Sequence, residues 1–203
     1  MAIELITEPG LEPVSYEQAL IQLRINIFDE SLDVSSVEEL ERFITVVRED
    51  AENFTNRKFI TQTWRYYLDR WPKADYIELP FNPLQSISSV KYTDLDGIET
   101  ALVENTDFIV DKIGLKSKIV LPYSISWPTA TLAIVNPIKI EAIYGYGDNP
   151  EDIPKRIIQA ILIQVVDLYE NRQGIVRGQP IQRLNTYERL LSPFQIYYFG
   201  AER

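Results

Sequence analysis

Residues 36–68, SVEELERFITVVREDAENFTNRKFITQTWRYYL, contain the change of texture that decides the fold. In the first part Val37, Leu40, Phe43, Ile44, Val47, Ala51 and Phe54 recur three, four or seven residues apart, which traces one apolar stripe along a long helix. Ser36, with Glu39 three residues on, reads as the capping box that starts it. Glu38, Glu41, Arg42, Arg48, Glu49 and Glu52 fall on the other face, which is therefore expected to be solvated. From Ile60 the helical period stops. Thr61-Gln62-Thr63-Trp64-Arg65-Tyr66-Tyr67-Leu68 is rich in β-branched and aromatic residues and predicts a strand.

Upstream, Val14-Ser15-Tyr16-Glu17-Gln18 predicts a shorter helix reaching about Asn26, with Ser15 as N-cap, Gln18 closing the box and Val14 stapled against Ala19. Downstream, strands are expected at Tyr76-Ile77-Glu78-Leu79, at 86–92, at 98–103, at Phe108-Ile109-Val110, at 118–121 and at 138–144. Asp94-Leu95-Asp96-Gly97 supplies the turn of a β-hairpin between two of them, and prolines at 122, 128 and 137 punctuate the gaps. Past Gly145-Tyr146-Gly147 the helical signal returns. Asp152 is the expected N-cap and Pro154 sits in the first turn of a 152–172 helix with Ile157, Ile158, Ala160, Ile161, Leu162, Val165, Val166 and Leu168 on nearly every side. A helix so apolar all round packs in a core or against another subunit. Residues 186–192 predict a short helix ended near Pro193. The aromatic tail Phe194-Gln195-Ile196-Tyr197-Tyr198-Phe199 should dock on its own core or on a neighbour.

These elements imply an α+β fold: one domain over 1–203, with a helical core built from both chain ends, 1–60 and 150–203, and a β-rich insertion over 61–149. A chain of 203 residues is long enough for one substantial core. No run approaches the ~20 apolar residues of a membrane span, and the start carries no secretion signal. The expectation is therefore a protein that stays in the cytoplasm where it is made, with no membrane partner.

Composition narrows the chemistry. The chain has no Cys and no His. It therefore cannot build a disulfide, a thiolate nucleophile, a Ser-His pair or an ordinary zinc site, and only carboxylate, Lys or Tyr chemistry remains. A net charge of −10 opposes tight binding to phosphate backbones. Such a charge serves solubility and would also suit a surface past which DNA slides.

Each candidate motif has a structural reading that accounts for it. Asp94-Leu95-Asp96-Gly97 resembles part of a calcium loop, but aligning Gly97 with the loop glycine puts Tyr92 and Val103 where ligands belong. Gly145-Tyr146-Gly147 follows a strand and precedes a helix, yet Pro150 occupies the third glycine position of a dinucleotide turn. Glu151 with Asp152, or Glu38, Glu39 and Glu41, could pair as acid and base, but nothing converges on either group. Trp64, Trp71 and Trp127 suit packing better than base stacking, since interleaved basic residues are sparse. No catalytic, cofactor-binding or metal-ligating residue is expected, and no cofactor.

Three segments together resemble the head-tail connector (adaptor) proteins of tailed bacteriophages, prophages and gene transfer agents. They are Ile60-Thr61-Gln62-Thr63-Trp64-Arg65 with Leu68-Asp69; Ile77-Glu78-Leu79-Pro80 through Pro83-Leu84-Gln85-Ser86-Ile87-Ser88-Ser89-Val90; and Tyr144-Gly145-Tyr146-Gly147-Asp148 with Ile153-Pro154 and Asp167-Leu168-Tyr169-Glu170-Asn171-Arg172. Val14-Ser15 and Leu190-Leu191-Ser192-Pro193 also fit. The resemblance implies a structural virion protein, assembled in the host cytoplasm as a ring of about twelve copies under the portal. Such a ring extends the DNA channel, lets DNA pass without specific binding, and docks a stopper or tail-completion protein. The alternatives are another joining part, such as the stopper or tail-completion protein itself, and a carboxylate-based hydrolase.

Overall fold

The computed structural model describes residues 2–25, 34–171 and 185–197. They form two units, one from residues up to Gly10 together with Thr61–Tyr146, the other from Leu11–Ile60 and the described residues from Gly147 onward. The first is built of antiparallel sheets and the second of helices, an α+β composition.

In the helical unit, α1 (Tyr16–Leu23) opens on the expected capping box. The Gln18 N–H donates to Ser15 Oγ at 3.3 Å, and the Ser15 N–H donates to Gln18 Oε1 at 3.2 Å. The helix stops at Leu23 because Arg24 turns left-handed at φ 59°. The long helix α2 (Val34–Thr55) starts two residues before Ser36, which lies inside its first turn instead of capping it. Asn56, at φ 55°, closes its C-terminus, and the Arg57 N–H bonds back to the Glu52 carbonyl at 3.2 Å. Leu40, Ile44, Val47 and Ala51 bury the stripe read from the sequence.

Asp152 does not cap the next helix. It belongs to a 3-10 turn over Pro150–Asp152, where its carboxylate accepts the Asn149 N–H at 3.2 Å, and Pro154 is the N-cap of α3 (Lys155–Glu170). A proline needs no N–H partner and pre-sets the entry angle, so it takes the cap position. α3 packs against α1, α2 and α4 (Asn185–Leu191) through Ile157, Ala160, Ile161 and Val165. Each fully buried aliphatic side chain contributes roughly 1.5–3 kcal/mol.

In the sheet unit, β1 (Ala2–Thr7), β2 (Gln62–Leu68), β4 (Leu84–Thr93), β5 (Glu99–Leu102) and β8 (Ile138–Tyr144) form one antiparallel sheet in the order β1-β2-β8-β4-β5. A second sheet joins β3 (Tyr76–Glu78), β6 (Ile109–Asp111) and β7 (Lys118–Val120) in the order β3-β7-β6. The strands from β2 on were expected. β1 was not: residues 2–7, assigned to the helical core with the rest of 1–60, pair instead with β2 from Ala2↔Tyr67 to Thr7↔Thr63. The partner lies some sixty residues away, so no local pattern announces it. β8 runs down the middle with Ile138, Ile140, Ala142 and Tyr144 alternately buried, which pins its register between β2 and β4.

Candidate assembly interface

The side chains of α3 divide into stripes. Ile157, Ala160, Ile161 and Val165 are buried within the chain, whereas Ile158, Leu162, Val166 and Tyr169, spaced four, four and three residues apart, form an adjoining stripe that is only half-buried. Lys155, Arg156 and Gln159 complete the exposed face of the first turns. The helix is therefore not apolar on every side in the same sense. One stripe makes the core and the next is half-covered. Ile161, on a helix expected to pack in a core or against another subunit, has no exposed surface and is core.

The C-terminal segment docks on its own helical unit. After α4 a 3-10 turn over Ser192–Phe194 leads to Ile196, which is buried. Its N–H donates to the Thr55 carbonyl at 3.0 Å, and the Asn56 side-chain amide donates to the Ile196 carbonyl at 2.8 Å. Arg57 Nε donates to the Phe194 carbonyl at 2.6 Å. The end of α2, whose carbonyls need donors and whose Asn56 turns away, thus becomes a clamp for the tail. Tyr197 is exposed; Tyr198 and Phe199 lie outside the described residues. On α4 the buried Tyr187 hydroxyl donates to Asp50 Oδ2 at 3.0 Å, and burial, then the nearby Asp50 charge, push this phenol well above the ordinary tyrosine range.

The face of α2 read as solvated hides a charge cluster. Arg48 and Glu52 are buried, and so is Lys58 beyond the helix end. Glu52 Oε2 takes Lys58 Nζ at 3.1 Å and Arg48 NH1 at 3.4 Å, Glu52 Oε1 accepts the Phe59 N–H at 3.0 Å, and Arg48 Nε reaches Glu12 Oε2 at 2.8 Å. Glu12 also accepts from the Thr45 hydroxyl at 2.9 Å. The group ties the segment before α1 and the exit from α2 to one helix. It is fully bonded, as a buried ion group must be, and its geometry is structural. The signal that could have found it is the i, i+4 spacing of Arg48 and Glu52, but spacing alone cannot tell a buried pair from a surface pair.

The remaining motifs sit apart from one another. Asp94 Oδ1 accepts the N–H groups of Asp96 and Ile98 at 3.0 and 2.9 Å, with Gly97 at φ 80°, so this sequence is the β4–β5 turn. Gly145 takes φ 135°, and a Cβ on Gly147 would fall on the Asp152 carboxylate, which explains both glycines by conformation and space. Glu38 and Glu41 are exposed on α2, and Glu39 is half-buried there 3.8 Å from Arg42. Trp71 and Trp127 stack with centroids 4.8 Å apart and planes 5° apart, beside Tyr92, while Trp64 packs on Phe81. Arg65 bonds Glu141 at 2.8 Å across β2 and β8; its pKa is raised, first by Tyr67 and then by Glu141. Among the described residues no group of His, Cys, Asp and Glu is arranged to hold a metal ion, and no helix is long and apolar enough to cross a membrane.

No protein-family model matches the chain, and no curated protein matches it. Solved structures do. The chain superposes on one from the neck of an empty GTA particle computed with C6 symmetry, with a TM-score of 0.81 at 17% identity over 99% of both chains. A chain of the virion of a native gene transfer agent (GTA) particle gives 0.78 at 16% identity, and one from the neck of a native GTA particle computed with C12 symmetry gives 0.70 at 17%, each again over 99% of both chains. At such identities the likeness establishes a shared fold.

Proposed function

We propose that this chain is a structural subunit of the neck of a phage-like particle, and more narrowly the head-tail connector (adaptor) that assembles as a ring under the portal. The observation that carries the reading is the match to a GTA neck chain over 99% of both chains, since no segment of either is left over for a different architecture. The half-buried stripe Ile158, Leu162, Val166 and Tyr169 supports it as a surface that contact with another chain would cover. The chain is read as one domain, its helical core drawn from segments on both sides of the β-rich insertion and its main sheet completed by β1 from residues 2–7.

In this role the protein acts by assembly and needs no reaction, metal or cofactor. Burying apolar stripes between copies supplies affinity, about 25 cal/mol for each Å² removed from water. A closed ring of about twelve copies uses each contact repeatedly. The net charge of −10 suits a channel lining, because carboxylates repel the phosphate backbone and let DNA pass without holding it. The portal on one side and a stopper or tail-completion protein on the other are the proposed partners, within a virion assembled in the host cytoplasm.

The test is affinity capture of the tagged protein from cells producing the particle, with mass spectrometry and negative-stain imaging. Recovery of portal protein with ring density at the capsid vertex is the expected result. Recovery of tail proteins alone would make the chain a tail-completion or stopper part. A soluble metabolic partner would overturn the virion reading.

A further inference from the structure

Two groups of aliphatic side chains in the sheet unit stand in solvent. At the turn between β6 and β7, Ile113 is 98% exposed and Leu115 80%. Near the β4–β5 turn, Leu95 and Ile98 are each 60% exposed, Ile134 is 88% and Val135 71%. Both supports are built. Asp111 Oδ1 holds the Ile113 N–H at 3.0 Å, and the Ser117 N–H and hydroxyl both donate to Asn82 Oδ1, at 3.1 and 2.6 Å. At the other group, Leu95 N–H donates to the Thr131 carbonyl at 3.1 Å and Ala133 N–H to the Thr93 carbonyl at 3.0 Å, which sets residues 131–135 alongside the hairpin. Monomeric proteins keep such patches small because each exposed aliphatic forgoes about 1.5–3 kcal/mol of burial.

The two groups lie at opposite ends of β4. The first borders Asn82 and Gln85, whose carbonyl accepts Lys112 Nζ at 2.6 Å; the second borders Thr93 and Asp94. A ten-residue strand separates them by roughly 30 Å at ~3.3 Å per residue. Their charges are opposite in excess. Around the first stand Lys112, Lys116 and Lys118 against Asp111 and Glu78; around the second stand Asp94, Asp96 and Glu99 against Lys91 and Lys139. Between Lys91 and Lys112 the sequence holds six carboxylates, Asp94, Asp96, Glu99, Glu104, Asp107 and Asp111, and no cation.

We propose that the Ile113/Leu115 finger of one copy docks on the Leu95, Ile98, Ile134 and Val135 surface of a second copy of this chain. The two surfaces differ and lie at opposite ends of β4, so the contact is head to tail. Contacts of that kind propagate and close into rings when the rotation permits. Burial of the aliphatics provides the affinity, and the lysine excess meeting the carboxylate excess sets the orientation. The inference rests on the ring reading above and names a contact within it.

The experiment follows assembly of purified full-length protein by mass photometry and negative-stain imaging, with circular dichroism to verify folding. Leu115→Asp and Ile134→Asp are expected to stay folded and to associate at least about tenfold more weakly than wild type, near 1.4 kcal/mol. Lys112→Glu and Asp96→Lys should each weaken assembly, and their combination should restore it. A mixture of the Leu115→Asp and Ile134→Asp chains should yield dimers, because each supplies the surface the other lacks. Wild-type rings together with undiminished assembly of these variants would overturn the contact and leave the ring reading standing. A wild type that stays monomeric at every concentration would overturn both.

Discussion

The Lys58 ammonium lies 3.1 Å from Glu52 Oε2, and both side chains are buried. The same carboxylate also accepts the Phe59 backbone N–H at 3.0 Å. One acidic residue on α2 therefore decides where the chain leaves the helix and starts toward β2. Removing it takes a counter-charge from the buried Lys58 and leaves Arg48 with Glu12 in place of two close carboxylates, which costs far more than loss of an exposed pair would.

Glu52→Ala should destabilise the protein by about 3–5 kcal/mol, measured as a lower urea midpoint at unchanged slope. The exposed Glu49→Ala on the same helix should stay within about 0.5 kcal/mol of wild type. Equal effects would show that the Glu52 group is not buried in solution.

Ile161→Asp should abolish the fold itself, because the residue has no exposed surface among α1, α2 and α4. Leu162→Asp, one position along on the half-buried stripe, should leave a folded chain and, under the proposed ring reading, one that no longer assembles. Circular dichroism and sedimentation velocity on the two variants separate core from interface.

The Tyr187 phenol should ionise well above the ordinary tyrosine range. Burial is the larger cause and Asp50 the second. Since its folded pKa lies above its unfolded value, its contribution is fully present below pH ~10 and is lost as the pH rises toward the folded pKa. Tyr187→Phe should cost about 1 kcal/mol through the lost bond to Asp50, and spectrophotometric titration should lose one phenol that ionises above the ordinary tyrosine range.

Glu99 accepts Lys91 at 2.8 Å and Lys139 at 2.9 Å, which together lower its pKa from 4.5 to about 2. A carboxylate depressed on folding favours the folded state above its unfolded pKa, and this is lost as the pH falls from about 4.5 toward 2. An NMR titration should place the Glu99 midpoint well below the ordinary carboxylate range, and Lys139→Ala should move it upward.

Much of this architecture was legible in local pattern. Ser15 and Gln18 form the box their spacing predicts, Asp94 to Gly97 make the hairpin turn, and the alternation of residues 138–144 survives as the buried face of β8. The errors share one cause. β1 carries no clear period of its own and exists because β2, far along the chain, offers an edge to it. Asp152 looked like a helix cap because an acid before Pro154 is a common start, and the 3-10 turn that claims it depends on Asn149. In α3 the pattern marked an apolar helix but could not tell that Ile161 is fully buried and Leu162 only half-buried.

By itself the sequence determined what the protein can be made of: an α+β chain with two kinds of texture, no His or Cys chemistry, an acidic surface, and helices whose caps and stripes are written in adjacent residues. Those properties are local, since propensity, capping and period act over a few residues. Only the tertiary structure decided that Arg48 and Glu52 are core, that the tail hangs on Thr55 and Asn56, and that apolar fingers stand at both ends of β4. Burial depends on which distant segment arrives to cover a side chain. That information belongs to the folded chain as a whole and to no window of its sequence.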